Sequence, residues 1–298
     1  MKGPVIRPSD SIRREYQTAL EVYIKRMGTE LMREVAGAYA SQGGEFQPKE
    51  VTEDASAAEW LKGVLSDFFS GWQKKFDAMA EKRAKWLADR TDKASSTQVQ
   101  RMLKDIGFTV EFKNSAYVGG ELERIVKDNV SLIRSIPERM HDRVEKIVMR
   151  GVSAGNDRHY IATELKKEFG VTERRARFIA RDQTQKASAA ISIAKSEEVG
   201  YEYGFWVHRS ISKIPRSTHI GKQMNRQRFK LSDGLYDPDP RVNRKVKPGE
   251  LPGCNCTFEL DLSSFRPQMA QDSVIIRPCK PTYADIKECL ANPPKEAA

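Results

Sequence analysis

The chain has 298 residues, enough for two domains or for one domain with helical extensions. Its formal net charge of +10, pI near 9.3 and mean hydropathy of −0.62 favour polyanionic neighbours and elongated helices with much surface over a compact apolar globule. No run of about 18 apolar residues occurs, and the opening MKGPVIRPSD has no apolar signal core. The expectation is therefore a protein made and kept in a cytosol, away from membranes. Four cysteines, all after position 253, are too few and too clustered for a disulfide framework.

In chain order, residues 1–11 read as a loose arm containing Pro4 and Pro8. Ile12, Tyr16, Leu20, Tyr23, Met27, Leu31 and Val35 recur every three or four residues and predict a helix to about Tyr39. A polar stretch around Pro48 reads as a linker. A second helix follows from Ala57 to Ala88, with an aromatic stripe of Trp60, Phe68, Trp72, Phe76 and Trp86. Aromatic residues at helical spacing are read as core or partner interface before base-stacking platform. A short helix is expected over 94–105, then FTVEF as an extended segment. The next helix is expected over 119–135, broken by Pro137, with Ser135 and Glu138 spaced as a capping box for a further helix ending at Gly151. Another short helix should stop at Gly170.

From Thr172 to Gly200 the sequence TERRARFIARDQTQKASAAISIAKSEEVG reads as one long helix, with Thr172 as N-cap and Gly200 at the C-terminus. Ala176, Ala180, Ala187, Ile191 and Ala194 make a small-residue stripe, so whatever covers it comes close. Gln183 lies in the stripe and is expected to hydrogen-bond to the covering segment, because buried amides need partners. Asp182 and Lys186, four residues apart, are placed to pair. After Gly200 the character changes. YEYGFWV reads as a strand, a Pro, Gly, Asn and Asp-rich region follows to Gly253, and TFELDL alternates as a closing strand. Residues 266–298, with five prolines, read as an irregular tail. The predicted fold class is α+β, mainly α: long N-terminal helices followed by a small C-terminal α+β domain with short strands and long loops. The predicted divisions are 1–56, 57–118, 119–265 and 266–298.

His208, His219, Cys254 and Cys256 are the soft metal donors of the C-terminal region. Two imidazoles and two thiolates would close a tetrahedral structural zinc site, a useful staple for a small unit with long loops. The spacing is unlike a standard zinc finger. The open alternative is a pair of structural cysteines beneath the Trp206 strand, with histidines bonded to loop backbone. His219 with Cys254 also offers a thiol and a base, but neither has a third, orienting residue at a recognisable spacing. No Gly-rich phosphate loop, H-E-x-x-H or paired-carboxylate motif occurs. The expectation is a protein that is not an enzyme. Arg216 and Arg181 read as cross-links between loop and helix.

The order of these motifs — IARDQTQK, a Gly-aromatic-Trp strand, P-R-x-x-H, then Pro-Gly and C-x-C — resembles the bacteriophage head morphogenesis family, the Mu F-like minor head proteins. The resemblance covers roughly Leu122 to Leu262, including the run NVSLIRSIPERM. Position by position it takes in Arg177, Arg181, Asp182, Gln183 and Lys186, then Trp206, Pro215, Arg216, His219, Gly221, Cys254 and Cys256. Asn255 departs from the family, which carries Arg between the two cysteines. The resemblance implies a minor head protein of a tailed phage, present in multiple copies in the virion near the portal vertex. It would act in procapsid assembly and in DNA packaging or delivery. Its partners would be the portal protein and the major capsid protein, with packaged double-stranded DNA nearby. The alternatives are a metal-dependent DNA-processing nuclease and a plain DNA-binding module. Cys279 and Cys289 lie outside the motifs.

Overall fold

A computed structural model describes residues 2–41, 51–113, 115–153, 158–209, 216–267, 270–271 and 273–278. The elements are β1 (Lys2–Val5), α1 (Asp10–Ser41), α2 (Val51–Asp105), β2 (Phe108–Phe112), α3 (Ala116–Ser153), α4 (Arg158–Glu198) and β3 (Tyr203–Val207). These are followed by α5 (Ser217–Ile220), β4 (Arg228–Lys230), β5 (Leu235–Asp237), β6 (Arg244–Val246), β7 (Thr257–Asp261), a 3-10 turn at Leu262–Ser264, β8 (Ala270–Gln271) and β9 (Val274–Pro278). The fold is α+β and mainly α, as the sequence predicts. The chain forms two compact units, a helical one from Arg14–Lys85 and Lys127–Ala180, and an α+β one from Met1–Arg13, Trp86–Val126 and Arg181–Ala298.

In the helical unit the periodic residues point inward. Tyr16, Leu20, Ile24, Met27 and Leu31 of α1 are fully buried, as are Leu61 and Phe76 of α2, Ile133 and Val144 of α3, and Ile161 and Leu165 of α4. The aromatic stripe of α2 is largely consumed here: Phe69, Trp72 and Phe76 are buried, and Phe76 meets Tyr23 edge-on. Trp72 and Phe76 are inward as the sequence predicts, and only the N-terminal part of the stripe is shifted by one residue. Leu65 and Phe69 are the buried residues, whereas Trp60 is exposed. The Tyr16 hydroxyl donates to Asn129 Oδ1 at 2.9 Å, so this polar pair deep in the core is satisfied.

Three predicted breaks are absent, and in each case tertiary contacts explain why. The helix α3 runs through Pro137. Ser135 Oγ donates to the Leu132 carbonyl at 2.8 Å and Gln73 Nε2 to the Arg134 carbonyl at 3.4 Å, so side chains take up carbonyls beside the proline. Ser135 is therefore not a capping residue. The helix α4 runs through Gly170, and Thr172 is a buried interior residue rather than an N-cap. The stripe Ile161, Leu165, Thr172, Ala176 keeps one phase across that glycine, and burial of the stripe outweighs its helix cost of about 1 kcal/mol. The helix α2 continues across the polar run 89–93 because that run has partners: Asp92 pairs with Lys195 Nζ at 2.9 Å and Ser95 Oγ meets Ser192 Oγ at 3.1 Å.

The α+β unit has a four-stranded antiparallel sheet in the order β1-β7-β3-β4. Its core holds Trp206, Phe229, Phe258 and Leu260 from the sheet, Met102 and Leu103 from α2, Ile193 from α4, and Val199 just beyond the end of α4. Two predicted irregular segments are strands in this unit. The N-terminal arm forms β1 on the edge of the sheet, where Pro4 costs no ladder bond that a central strand would need, and Ile6 is buried behind it. Part of the expected tail forms β9, which pairs with β2 and buries Val274 and Ile276. The remainder of that tail, 279–298, lies outside the described residues, with Cys279 and Cys289. No described helix is long and apolar enough to cross a membrane.

Helix α4 ends in a Schellman motif. The Gly200 N–H bonds the Glu197 carbonyl and the Tyr201 N–H bonds the Ser196 carbonyl, both at 2.9 Å, with Gly200 at φ +96°. A Cβ at Gly200 would stand 2.1 Å from the Arg266 carbonyl oxygen. Gly200→Ala should thus cost more than about 2 kcal/mol, through both the left-handed backbone and the backbone clash. At Gly63, where a Cβ would meet nothing within 4 Å, alanine should stabilise by about 0.5–1 kcal/mol. Urea unfolding midpoints of the two variants check the opposite signs.

Candidate functional site

The part of α4 from Asp182 to Ser196 is buried on nearly every side, although most of it is polar. The alanine stripe meets other helices: Ala187 and Ile191 pack with Ala88 and Ile125. A different face meets the loop that leads to the cysteines. Asp182 Oδ1 accepts the Gly253 backbone N–H at 2.6 Å, and Gln185 Nε2 donates to the Cys256 carbonyl at 2.8 Å. Asp182 and Gln185, three residues apart, share this face. Gly249, at φ +77°, lets the loop lie against α4, because a Cβ there would stand 3.3 Å from Gln185 Nε2. Gln185 is thus an amide that grips the covering loop. Gln183 is also buried and donates to Asp182 Oδ2 at 3.0 Å. Lys186 Nζ pairs with the same oxygen at 2.9 Å.

That clasp holds the C-x-C loop over the end of the sheet. The strands β3 and β7 pair with Val207 opposite Thr257, so the residues flanking them, His208 and Cys256, come together. His208 Nδ1 lies 3.5 Å from Cys256 Sγ. Helix α5 brings in His219, whose Nδ1 lies 3.5 Å from both Cys254 Sγ and Cys256 Sγ. His219 Nε2 lies 2.9 Å from Asp237 Oδ2 at the end of β5. Asp237 is held in turn by the Asp239 backbone N–H at 3.0 Å. His219, Cys254, Cys256 and Asp237 are all buried, at 2%, 5%, 2% and 0% exposure. The Trp206 ring meets His219 edge-on at 5.2 Å.

The electrostatics follow from these contacts. The bond from the Cys256 thiol lowers the Cys254 pKa, with His219 adding to the effect against the opposing influence of burial. The same bond raises the pKa of Cys256, so the pair favours one thiolate. Burial works against a charged His219, but its bonds to Cys254 and Asp237 outweigh burial and raise its pKa. Burial lowers the His208 pKa, and its Nε2 is buried with no hydrogen-bond partner among the described residues. Burial also opposes the Asp237 carboxylate, and the bonds from Asp239, His219 and Thr218 outweigh it and hold its pKa below the ordinary value.

This arrangement is chemically competent for two things. Two imidazoles and two thiols can hold a thiophilic divalent cation. The line Cys254–His219–Asp237 also has the composition of a nucleophile, base and orienting carboxylate. Asp237 is the third residue that the sequence did not reveal. Nothing in its D-P-D-P surroundings marks it, because its position is set by the pairing of β5 with β6. Gln185 stood inside the quoted motif, and its spacing from Asp182 was the signal for it.

The other predicted residues are spread more widely. Trp206 is fully buried in the sheet core. Arg216 donates to the Pro252 carbonyl at 3.3 Å, a loop-to-loop bond. Arg181 is half-buried on α4. Arg177 pairs with Glu21 at 3.5 Å inside the helical unit. Gly221 ends α5 at φ −74°, a conformation open to any residue. Pro215 lies outside the described residues.

Residues 142–259 match the family described as Phage Mu protein F like protein. An uncharacterized protein of Haemophilus influenzae (strain ATCC 51907 / DSM 11121 / KW20 / Rd) is 27% identical over 266 residues, which cover 88% of this chain and 55% of that protein. The chain thus spans about half the length of the curated relative it matches. No solved structure matches it.

Removing the clasp should loosen the site. Gln185→Leu takes away the donor to a buried carbonyl and should cost about 1–3 kcal/mol, whereas Lys186→Met, at the partly exposed end of its ion pair, should cost less than about 1 kcal/mol. Denaturant midpoints at unchanged slope measure the difference.

Proposed function

We propose that this chain, with its Mu F-like segment at residues 142–259, is a minor head protein of a tailed bacteriophage. The family is one of phage head-related proteins. On this reading the protein joins the procapsid near the portal vertex, in several copies, and contacts the portal protein and the major capsid protein. It acts in assembly and in the packaging or delivery of DNA, without catalysing a reaction. The observation that carries the reading is the family match. The fold supports it, since the later motifs of the match, from Arg181 onward, are gathered into one unit by hydrogen bonds from α4 to the cysteine loop. The net charge of +10 suits a position beside packaged DNA.

A second reading has one observation in its favour, the alignment of Cys254, His219 and Asp237. A hydrolase needs its nucleophile within reach of substrate, and here sulfur, imidazole and carboxylate are all buried. That burial favours the structural role. Co-expression of the tagged chain with portal and coat proteins tests the leading reading. Sedimented procapsids should contain the chain and a portal pull-down should recover it. Recovery of neither portal nor coat protein would count decisively against a place in the head.

A further inference from the structure

We propose that His208, His219, Cys254 and Cys256 form a structural zinc site, with Asp237 as the carboxylate that orients His219. The argument stands apart from where the protein is assembled, since it uses the local geometry alone.

It begins with the tautomer of His219. Asp237 is fully buried and lies 2.9 Å from Nε2, so the ring proton sits on Nε2 and the Nδ1 lone pair faces the sulfurs. A neutral imidazole nitrogen has one lone pair and accepts one hydrogen bond well. Yet Nδ1 stands 3.5 Å from two sulfurs at once. Equal distances to two sulfurs are what a shared central ion produces. In a tetrahedron with Zn–S of about 2.3 Å and Zn–N of about 2.0–2.1 Å, the N···S edge is about 3.6 Å. The two edges at His219 and the Cys256–His208 edge are all 3.5 Å. The donor atoms of His219, Cys254 and Cys256 lie within 4.8 Å of one another. His208 lies outside that group of three but has Nδ1 3.5 Å from Cys256 Sγ, and it would close on the ion as the fourth donor from the neighbouring strand end.

The surroundings fit the same conclusion. A carboxylate behind a ligating histidine is the usual support of a zinc ligand. Two thiolates neutralise a divalent zinc ion, which makes full burial affordable in electrostatic terms. The four donors come from the end of β3, from α5, and from the loop before β7. Four protein donors fill the tetrahedral shell of zinc, so the site would be closed and structural. One ion would then clip His208 at the end of β3 and His219 of α5 to the C-x-C loop.

The test uses the full-length chain, purified with its tag removed from zinc-replete medium. Elemental analysis should find about one zinc per chain. After anaerobic chelation, one equivalent of Co²⁺ should give the visible bands of a tetrahedral site and near-ultraviolet thiolate-to-cobalt charge transfer. Alkylation mapped by peptide mass should show Cys254 and Cys256 protected with zinc and reactive without it. Asp237→Asn should weaken zinc affinity by about 10- to 100-fold while keeping the cobalt spectrum. These readouts need no ligand variant, so a Cys256→Ser chain that fails to fold leaves the test intact. Less than about a tenth of an equivalent of zinc, with no tetrahedral cobalt bands, would overturn the proposal. So would alkylation at equal rates with and without zinc. A single fast-reacting Cys254, unaffected by zinc, would overturn it in favour of a thiol nucleophile.

Discussion

Two hydrogen bonds, one buried and one part-buried, organise the α+β unit: Gln185 to the Cys256 carbonyl and Asp182 to the Gly253 N–H. Each satisfies a group on one side that would otherwise cost free energy on burial, and each ties α4 to a loop with no regular hydrogen-bonding of its own. Because the bonds come from one helix face, three residues apart, they fix both the height and the rotation of the loop. The two cysteines are then presented to His219 at the end of the sheet. Small residues make this possible. Gly249 allows the loop backbone to lie against Gln185, and the serines and alanines of α4 leave room for neighbours on every side.

The cluster itself is an electrostatic problem that the fold solves by pairing. A histidine, a carboxylate and two thiols share one dry region. Asp237 is stabilised by backbone and by His219, and His219 is directed by Asp237 toward the sulfurs. Chemistry at such a place is set less by any single residue than by which protons the group can give up together. That is why a donor set suited to a metal and a set suited to a nucleophile can share the same atoms. Burial, more than identity, separates the two roles.

The helical unit illustrates a different balance. Its helices are longer than local signals suggest, running through Pro137 and Gly170. Local propensity sets a cost of a few kcal/mol at such positions. Continuous stripes of buried Leu, Ile, Met and aromatic residues offset it over many turns, and side chains such as Ser135 and Gln73 take up the carbonyls near the proline. The same packing draws in the aromatic residues of α2 that could otherwise have served as an external surface.

Sequence alone determined what depends on neighbours in the chain. The helical stripes of α1 and α2, the β-rich character after Gly200, the mainly α class and the four soft donors follow from periodicity, composition and residue chemistry. The resemblance to Mu F-like proteins followed from motif order. Tertiary structure decided what depends on residues far apart: that Pro137 and Gly170 are passed over, that the N-terminal arm becomes an edge strand on β7, and that β9 pairs with β2 across more than 160 residues. It also placed Gln185 as a grip on the loop and supplied Asp237 behind His219. Those outcomes rest on register and burial between distant segments, and pairwise contacts of that kind leave no periodic trace in the chain.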